Sequence, residues 1–143
     1  MPNWCDNKLI ITGPEEAFLT FYTENQQFDF NKIIPIPVDN NRIDLFTYRV
    51  NTWGTKWNAS DVVWEDNIVY FHTAWSPAVP IIQRLAEQYP DLKFDYTYYE
   101  CGNQLAGHFY FNKDKYVLEE IPESMIPEFT VKHGFETKEF WGI

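Results

Sequence analysis

Residues 60–100 read SDVVWEDNIVYFHTAWSPAVPIIQRLAEQYPDLKFDYTYYE, and this run decides the fold. Ser60 to Glu65 and Ile68 to Trp75 are rich in β-branched and aromatic residues. The Asp66-Asn67 pair between them suits a tight turn, so the two runs predict an antiparallel hairpin. Ser76-Pro77 stops the second strand and opens a helix whose apolar stripe is Val79, Ile82, Leu85, Ala86 and Tyr89. Pro77 and Pro80 fall in its first turn, where a missing N–H costs least, and Pro90 closes it. Leu92, Phe94, Tyr96 and Tyr98 then alternate with Lys93, Asp95, Thr97 and Tyr99, the period of a strand with one apolar face.

Upstream, Lys8 to Thr12 (KLIIT) is a short buried strand bounded by Asp6-Asn7 and Gly13-Pro14. Gly13 serves as N-cap of the helix that follows, with Pro14 at the first helical position and Glu16 near the positive end of the dipole. Ala17, Phe18, Phe21 and Tyr22 recur at helical spacing, and the helix ends near Gln27. Downstream, the turn Cys101-Gly102-Asn103 and the run Gly107 to Phe111 (GHFYF) add a second hairpin. The order strand, helix, insertion, strand, strand, helix, strand is the split βαβ pattern of the ferredoxin-like α+β sandwich. That pattern has two helices on one face of an antiparallel sheet, extended here by the extra C-terminal hairpin and tail. The name describes topology: an iron–sulfur cluster would need four placed thiolates, and the chain has Cys5 and Cys101 alone.

One domain spanning residues 1–143 is expected, since a chain of this length buries roughly two thirds of its unfolded surface without staples. Aromatics make up 19% of it, so the core should be ring-rich. A formal charge of −10 disfavours direct binding to nucleic-acid phosphate, whose affinity comes from lysines and arginines displacing counterions. It fits a soluble acidic protein, a partner with a basic patch, or a mimic of a nucleic-acid surface. The two cysteines have no metal spacing, so no metal and no cofactor is expected and reduced thiols in a cytoplasm are. MPNWCDNK lacks the basic-then-apolar order of an export signal, and no apolar run approaches the roughly 18 residues of a membrane span.

Residues 28–58 break the periodicity and predict an irregular insertion with an Asp39-Asn40-Asn41 turn cluster. Ile33, Ile34, Ile36, Leu45 and Phe46 give it apolar residues to pack. Its last part, NTWGTKWNA at 51–59, reads as a built loop. Gly54 supplies a positive φ or a close approach, while Trp53 and Trp57 either frame a pocket for Lys56 or plug the open side of the sheet with Lys56 reaching to water. Asn58 belongs to the same candidate site. With Val69, Phe71 and Thr73 turned to the helices, Tyr70 and His72 share the opposite face with Thr97, Tyr99, His108 and Tyr110. That face is either an aromatic binding platform or a surface covered by residues 28–52. Trp75 ends its strand beside Ser76, which either presents a helix N-terminus to an anion or caps that helix. Residues 114–143, with Phe129, Val131 and Phe135 in alternation, predict a lid or edge strand.

Four motifs in order, MPNWCDNKLIITG, the Ile33-Ile34-Pro35-Ile36-Pro37 run, NTWGTKWNA, and TAWSP at 73–77 with its helix ending in Tyr89-Pro90, resemble the YubB-type ferredoxin-like family over residues 1–111. The resemblance implies the same fold and a phage, plasmid or other mobile-element setting, and it carries no catalytic residue. The tail from Asp114 lies outside it.

These readings lead to a non-enzymatic cytoplasmic binding module that takes a protein or small ligand through Trp53, Lys56, Trp57 and Asn58 and the nearby Tyr70, His72, Trp75 and Ser76. The alternative is an acidic inhibitor of a host defence or nucleic-acid-binding protein. A third reading, a small-molecule enzyme, would need His72 or His108 beside a carboxylate such as Glu100 inside a pocket. A monomer or weak homodimer is expected, because an open sheet can pair edge to edge.

Overall fold

The computed structural model describes residues 3–36, 45–112 and 115–143. The chain runs β1 (Trp4–Thr12), α1 (Glu15–Asn25), α2 (Phe30–Ile33), α3 (Leu45–Trp53), β2 (Ser60–Glu65), β3 (Ile68–Ala74), α4 (Val79–Gln88), β4 (Lys93–Glu100), β5 (Leu105–Asn112) and β6 (Lys115–Glu120). A 3₁₀ turn (Glu123–Met125), α5 (Ile126–Lys132) and α6 (Lys138–Trp141) complete it. The strands form one antiparallel sheet in the order β2-β3-β1-β4-β5-β6. The first four are the ferredoxin-like set, with β1 between β3 and β4, the two strands that α4 connects, and β5 and β6 widen the sheet beyond it.

Register sorts the side chains. Leu9 pairs with Val69 on one side and Tyr96 on the other, and Asn7 with Phe71 and Tyr98, so these residues share one face with Cys5, Ile11 and Phe94. Phe21 of α1 and Ile81, Ile82 and Leu85 of α4 bury against that face. Its rings meet mostly edge to face or tilted, as Phe21 does with Tyr89 and Phe94, the arrangement that aromatic quadrupoles favour.

This core holds a buried polar thread. Asn7 is 2% exposed, and its side-chain amide donates to the carbonyls of Cys5 and Phe71 and to Thr73 Oγ1 at 2.9–3.2 Å. The Tyr96 hydroxyl donates to Asn7 Oδ1 and accepts from the Ala78 N–H at 3.0 Å, and the Thr73 hydroxyl donates to the Ser76 carbonyl at 2.7 Å. The thread ties three central strands to the start of α4 and satisfies groups that would each cost about 1–3 kcal/mol if left bare. Glu100, also buried, accepts the N–H groups of Gly102 and Asn103 at 2.6 and 3.0 Å and so shapes the β4–β5 turn.

Several expectations are corrected. The insertion is not structureless: α2 and α3 lie within it and bury Phe28, Phe30, Ile33 and Trp53 in the helix-side core. The Asp39-Asn40-Asn41 turn, Pro37 and the side chains of Leu45 and Phe46 lie outside the described residues. Residues 28–36 and 45–53 therefore do not cover the opposite face. The C-terminal segment covers part of it, with α5 helical where alternation had suggested a strand, and β6 forms the sheet edge. Pro14, not Gly13, holds the N-cap position of α1. α4 starts at Val79 with Ala78 at its N-cap, so Ser76 does not cap it and Pro77 lies before its first turn.

Candidate functional site

α3 ends at Trp53, and Gly54 follows it at φ +82° with its N–H on the Val50 carbonyl, the usual left-handed exit from a helix. A Cβ at Gly54 would fall 2.7 Å from Pro80 Cδ and 2.9 Å from the Pro77 carbonyl, so glycine is also required by the close approach of α4's entry. The loop is then stitched to the end of β3. The Thr55 hydroxyl donates to the Ala74 carbonyl at 2.8 Å, and the Ser76 hydroxyl donates to the Gly54 carbonyl at 2.7 Å.

This turn sends the two loop tryptophans to different places. Trp53 is 3% exposed; its indole N–H donates to the Ile34 carbonyl at 2.9 Å and its ring meets Phe30 edge-on. Trp57 is 38% exposed, with its ring 6.1 Å from that of Trp4 and the Lys56 ammonium 4.8 Å from its centroid, within cation–π range. The two indoles therefore do not frame one pocket. Asn58 is a clamp: its side-chain oxygen accepts from the Phe30 and Ala59 N–H groups, and its nitrogen donates to Asp29 at 2.8 Å.

On the open face, Trp4 and Asp6 of β1 lie beside Ala74 and His72 of β3 by register. The His72 ring is 6.2 Å from that of Trp4. Its Nε2 lies 3.0 Å from Asp6 Oδ1 and its Nδ1 2.9 Å from Asp61 Oδ2, so two carboxylates hold the imidazole upright. Burial raises the Asp6 carboxyl above its ordinary value, and His72 pulls it partly back. Asp61 reaches across because β2 is bulged there, at φ +53°. Tyr70 sits half-buried on the same face, opposite Lys8 and Val63. Trp75, 40% exposed, leaves β3 in the left-handed region at φ +70°, with its N–H on the Asn3 carbonyl at 2.8 Å.

The other half of this face is occupied. Tyr99, Ala106, Ile126 and Phe129 form a second buried cluster, with Phe135 and Trp141 packed against it. At its margin lies a cleft of about 360 Å³ lined by His108, Glu119, Met125, Glu128, Lys132 and His133, among others. His108 Nε2 is 2.7 Å from Asp95 Oδ1, and that hydrogen bond raises its pKa, while burial first and neighbouring cations second lower that of His133. Glu100 is on the helix-side face with Cys5, so it does not meet His72 or His108. Cys5 is fully buried and its thiol is pushed up by desolvation, which keeps it inert.

Of the expected site residues, Lys56, Trp57, Tyr70 and His72 share the open-face side of the molecule, while Trp53, Asn58 and Ser76 serve packing or backbone support. Trp4, Asp6, Asp61 and His133 were not singled out from the sequence. Alternation identifies the first two once β1 is carried back to Trp4. Among the described residues no three His, Cys, Asp or Glu side chains are grouped to hold a metal ion, and no helix is long and apolar enough to cross a membrane.

Comparison with known proteins places this geometry. No curated protein matches the chain. The crystal structure of protein api92 from Yersinia pseudotuberculosis superposes with a TM-score of 0.55 at 15% sequence identity, over 66% of this chain and 39% of that one. That likeness concerns the fold, and the chain spans well under half of the api92 structure. The family profile described as the ferredoxin-like domain in Api92-like protein matches residues 52–139, which takes in most of the tail from Asp114 as well as the Trp57–His72 region. The chain belongs to this family of ferredoxin-like domains in Api92-like proteins.

Proposed function

We propose that the chain is a non-enzymatic binding module that takes a protein partner on the β1–β3 half of its open sheet face. The observation that carries this reading is the grouping of Trp4, Trp57 and His72. Two indoles more than a third exposed stand 6.1 Å apart, and the Trp4 ring lies 6.2 Å from that of His72, on the half of the face that the C-terminal segment leaves bare. Half-buried tryptophans held by a fixed frame are the residues that dominate protein interfaces, since they give large area at small cost in side-chain entropy. The carboxylates of Asp6 and Asp61 fix His72 and add a polar rim. In the mobile-element setting implied by the YubB resemblance, the partner would be a host protein met in the cytoplasm.

Nucleic-acid mimicry draws less support. On this face Asp6, Asp61 and Asp95 are tied to His72 and His108, not aligned free at phosphate spacing. The test is affinity capture from host lysate with the intact chain and with a Trp4→Ala/Trp57→Ala variant whose fold is checked by circular dichroism. A protein held by the intact chain and lost by the variant supports the module. An identical captured set from both removes the patch from consideration.

A further inference from the structure

The sheet has two edges, and they differ. Along β2 the ladder shifts between Ser60 and Val63, with Asp61 at φ +53°, a bulge of the kind that blocks a further strand. β6 is regular, paired with β5 from Lys115 to Glu120, and all six of its residues are exposed, including Tyr116 at 64% and Leu118 at 49%. Its direction of hydrogen bonding is set by the Ile121 N–H, which donates to the Ala106 carbonyl at 2.9 Å. With Ile121 turned toward β5, alternation turns the N–H and C=O groups of Tyr116, Leu118 and Glu120 outward from the sheet.

We propose that β6 is a homodimerisation edge, to which a second copy adds its own β6 antiparallel about a dyad at Val117. The strand KYVLEE complements itself in that register. Val117 faces the partner's Val117, Tyr116 faces the partner's Leu118, and Lys115 faces the partner's Glu119, so these pairs are apolar or oppositely charged, and Glu120 lies beyond the paired stretch. The outward groups of Tyr116 and Leu118 form two symmetric hydrogen-bonded pairs. A dyad between Val117 and Leu118 would set side chains of opposite faces against each other, and one on Leu118 would put Glu119 against the partner's Val117. Tyr116 also lines a cleft of about 510 Å³ with Gln83, Ala86, Glu87 and Phe111, and the partner's Leu118 would close its open side. The charge of −10 opposes association at long range, but a Debye length of about 8 Å at physiological salt leaves the contact pairs in control.

The dyad stands perpendicular to the sheet, so both copies present the same face. β1 lies three strands from β6, which sets the two β1 strands roughly 34 Å apart across the sheet at a strand spacing of about 4.8 Å, and the two Trp4 patches, at opposite ends of those strands, farther apart still. The dimer is therefore bivalent for whatever that patch takes, although the pairing itself does not depend on it.

Sedimentation equilibrium over a range of concentrations tests the proposal. The intact chain is expected to dimerise. Leu118→Pro should be monomeric with its melting curve nearly unchanged, because the N–H it removes points away from β5. Lys115→Glu or Glu119→Lys alone should weaken dimerisation about tenfold by setting like charges opposite each other twice, and the Lys115→Glu/Glu119→Lys exchange should restore it. An intact chain monomeric up to about 100 µM overturns the proposal, whether or not it takes up a strand of another protein. So does a Leu118→Pro dimer as strong as the original, or an exchange variant no better than the single substitutions.

Discussion

Trp53→Ala and Trp57→Ala, four residues apart, should behave as substitutions in two different proteins. Trp53 is 3% exposed, meets Phe30 with ring centroids 5.8 Å apart, and donates its indole N–H to the Ile34 carbonyl at 2.9 Å. Truncating a buried indole costs about 3–5 kcal/mol in packing, and the orphaned carbonyl adds about 1 kcal/mol. At about 3 °C per kcal/mol for a chain of 143 residues, the melting temperature should fall by roughly 15 °C. Trp57 is 38% exposed and loses one cation–π contact and partial burial, about 1 kcal/mol or roughly 3 °C. Far-UV circular dichroism melts and urea midpoints are the appropriate assays, since either substitution also removes a fluorophore. If Trp57→Ala proves as destabilising as Trp53→Ala, or Trp53→Ala costs less than about 1 kcal/mol, the assignment of one indole to the core and one to the surface is wrong.

The polar thread and the histidine pair give two further tests. In a double-mutant cycle, Asn7→Ala and Tyr96→Phe should each destabilise by about 2–3 kcal/mol, yet together by at least 1 kcal/mol less than their sum, because the Tyr96 hydroxyl donates to Asn7; strict additivity would show that the two do not act as one network. NMR titration should find His108 above 6.5 and His133 below it, with Asp95, Glu119 and Lys132 facing them and each ring near the other. By linkage, the stability that His108 contributes is full below 6.5 and is lost as pH rises through its raised value, whereas that from His133 is present above 6.5 and is lost as pH falls through its lowered one. Asp95→Asn should bring His108 back toward 6.5 and flatten the upper limb; an unmoved His108 would break the argument.

What the sequence made legible was what rests on period and punctuation. Alternation in Phe94, Tyr96 and Tyr98 and the Asp66-Asn67 turn placed β4 and the β2–β3 hairpin within a residue or two of their bounds. They also put Tyr70, His72, Thr97 and His108 on one face, as the register shows. The insertion was opaque because α2 has four residues and α3 carries Thr47, Val50 and Thr52, poor helix formers that tertiary contacts hold in place. The destinations of Trp53 and Trp57 were likewise not local: the helix end at Gly54 separates them, and its position depends on Pro77 and Pro80 packed above it. β1 was started too late because Asp6 and Asn7 look like turn residues. Asn7 is in fact a buried member of the polar thread, and Asp6 is a partner of His72.

The two halves of the open face differ in what they require from the rest of the chain. The Tyr99 ring and the Ala106 methyl group sit on adjacent strands in paired register and become fully or nearly fully buried with Ile126 and Phe129. An uncovered patch of that kind is an aggregation liability, so the C-terminal helices complete the domain there. The tail reaches the margin of the β1–β3 half, where Lys8 Nζ donates to the His133 carbonyl at 3.5 Å, but beyond it Asp6 and His72 form a hydrogen-bonded pair that tolerates water, and that part can stay bare without such cover. Polar groups at Asp6 and His72 thus explain why the tail does not cover them, but they do not explain Trp4 and Trp57. Burial would favour covering two indoles, each worth on the order of 1–2 kcal/mol for the area still exposed, and no described element does so. Leaving both rings exposed on a fixed frame beside a tail that covers the neighbouring strands is the arrangement expected where another molecule supplies the cover.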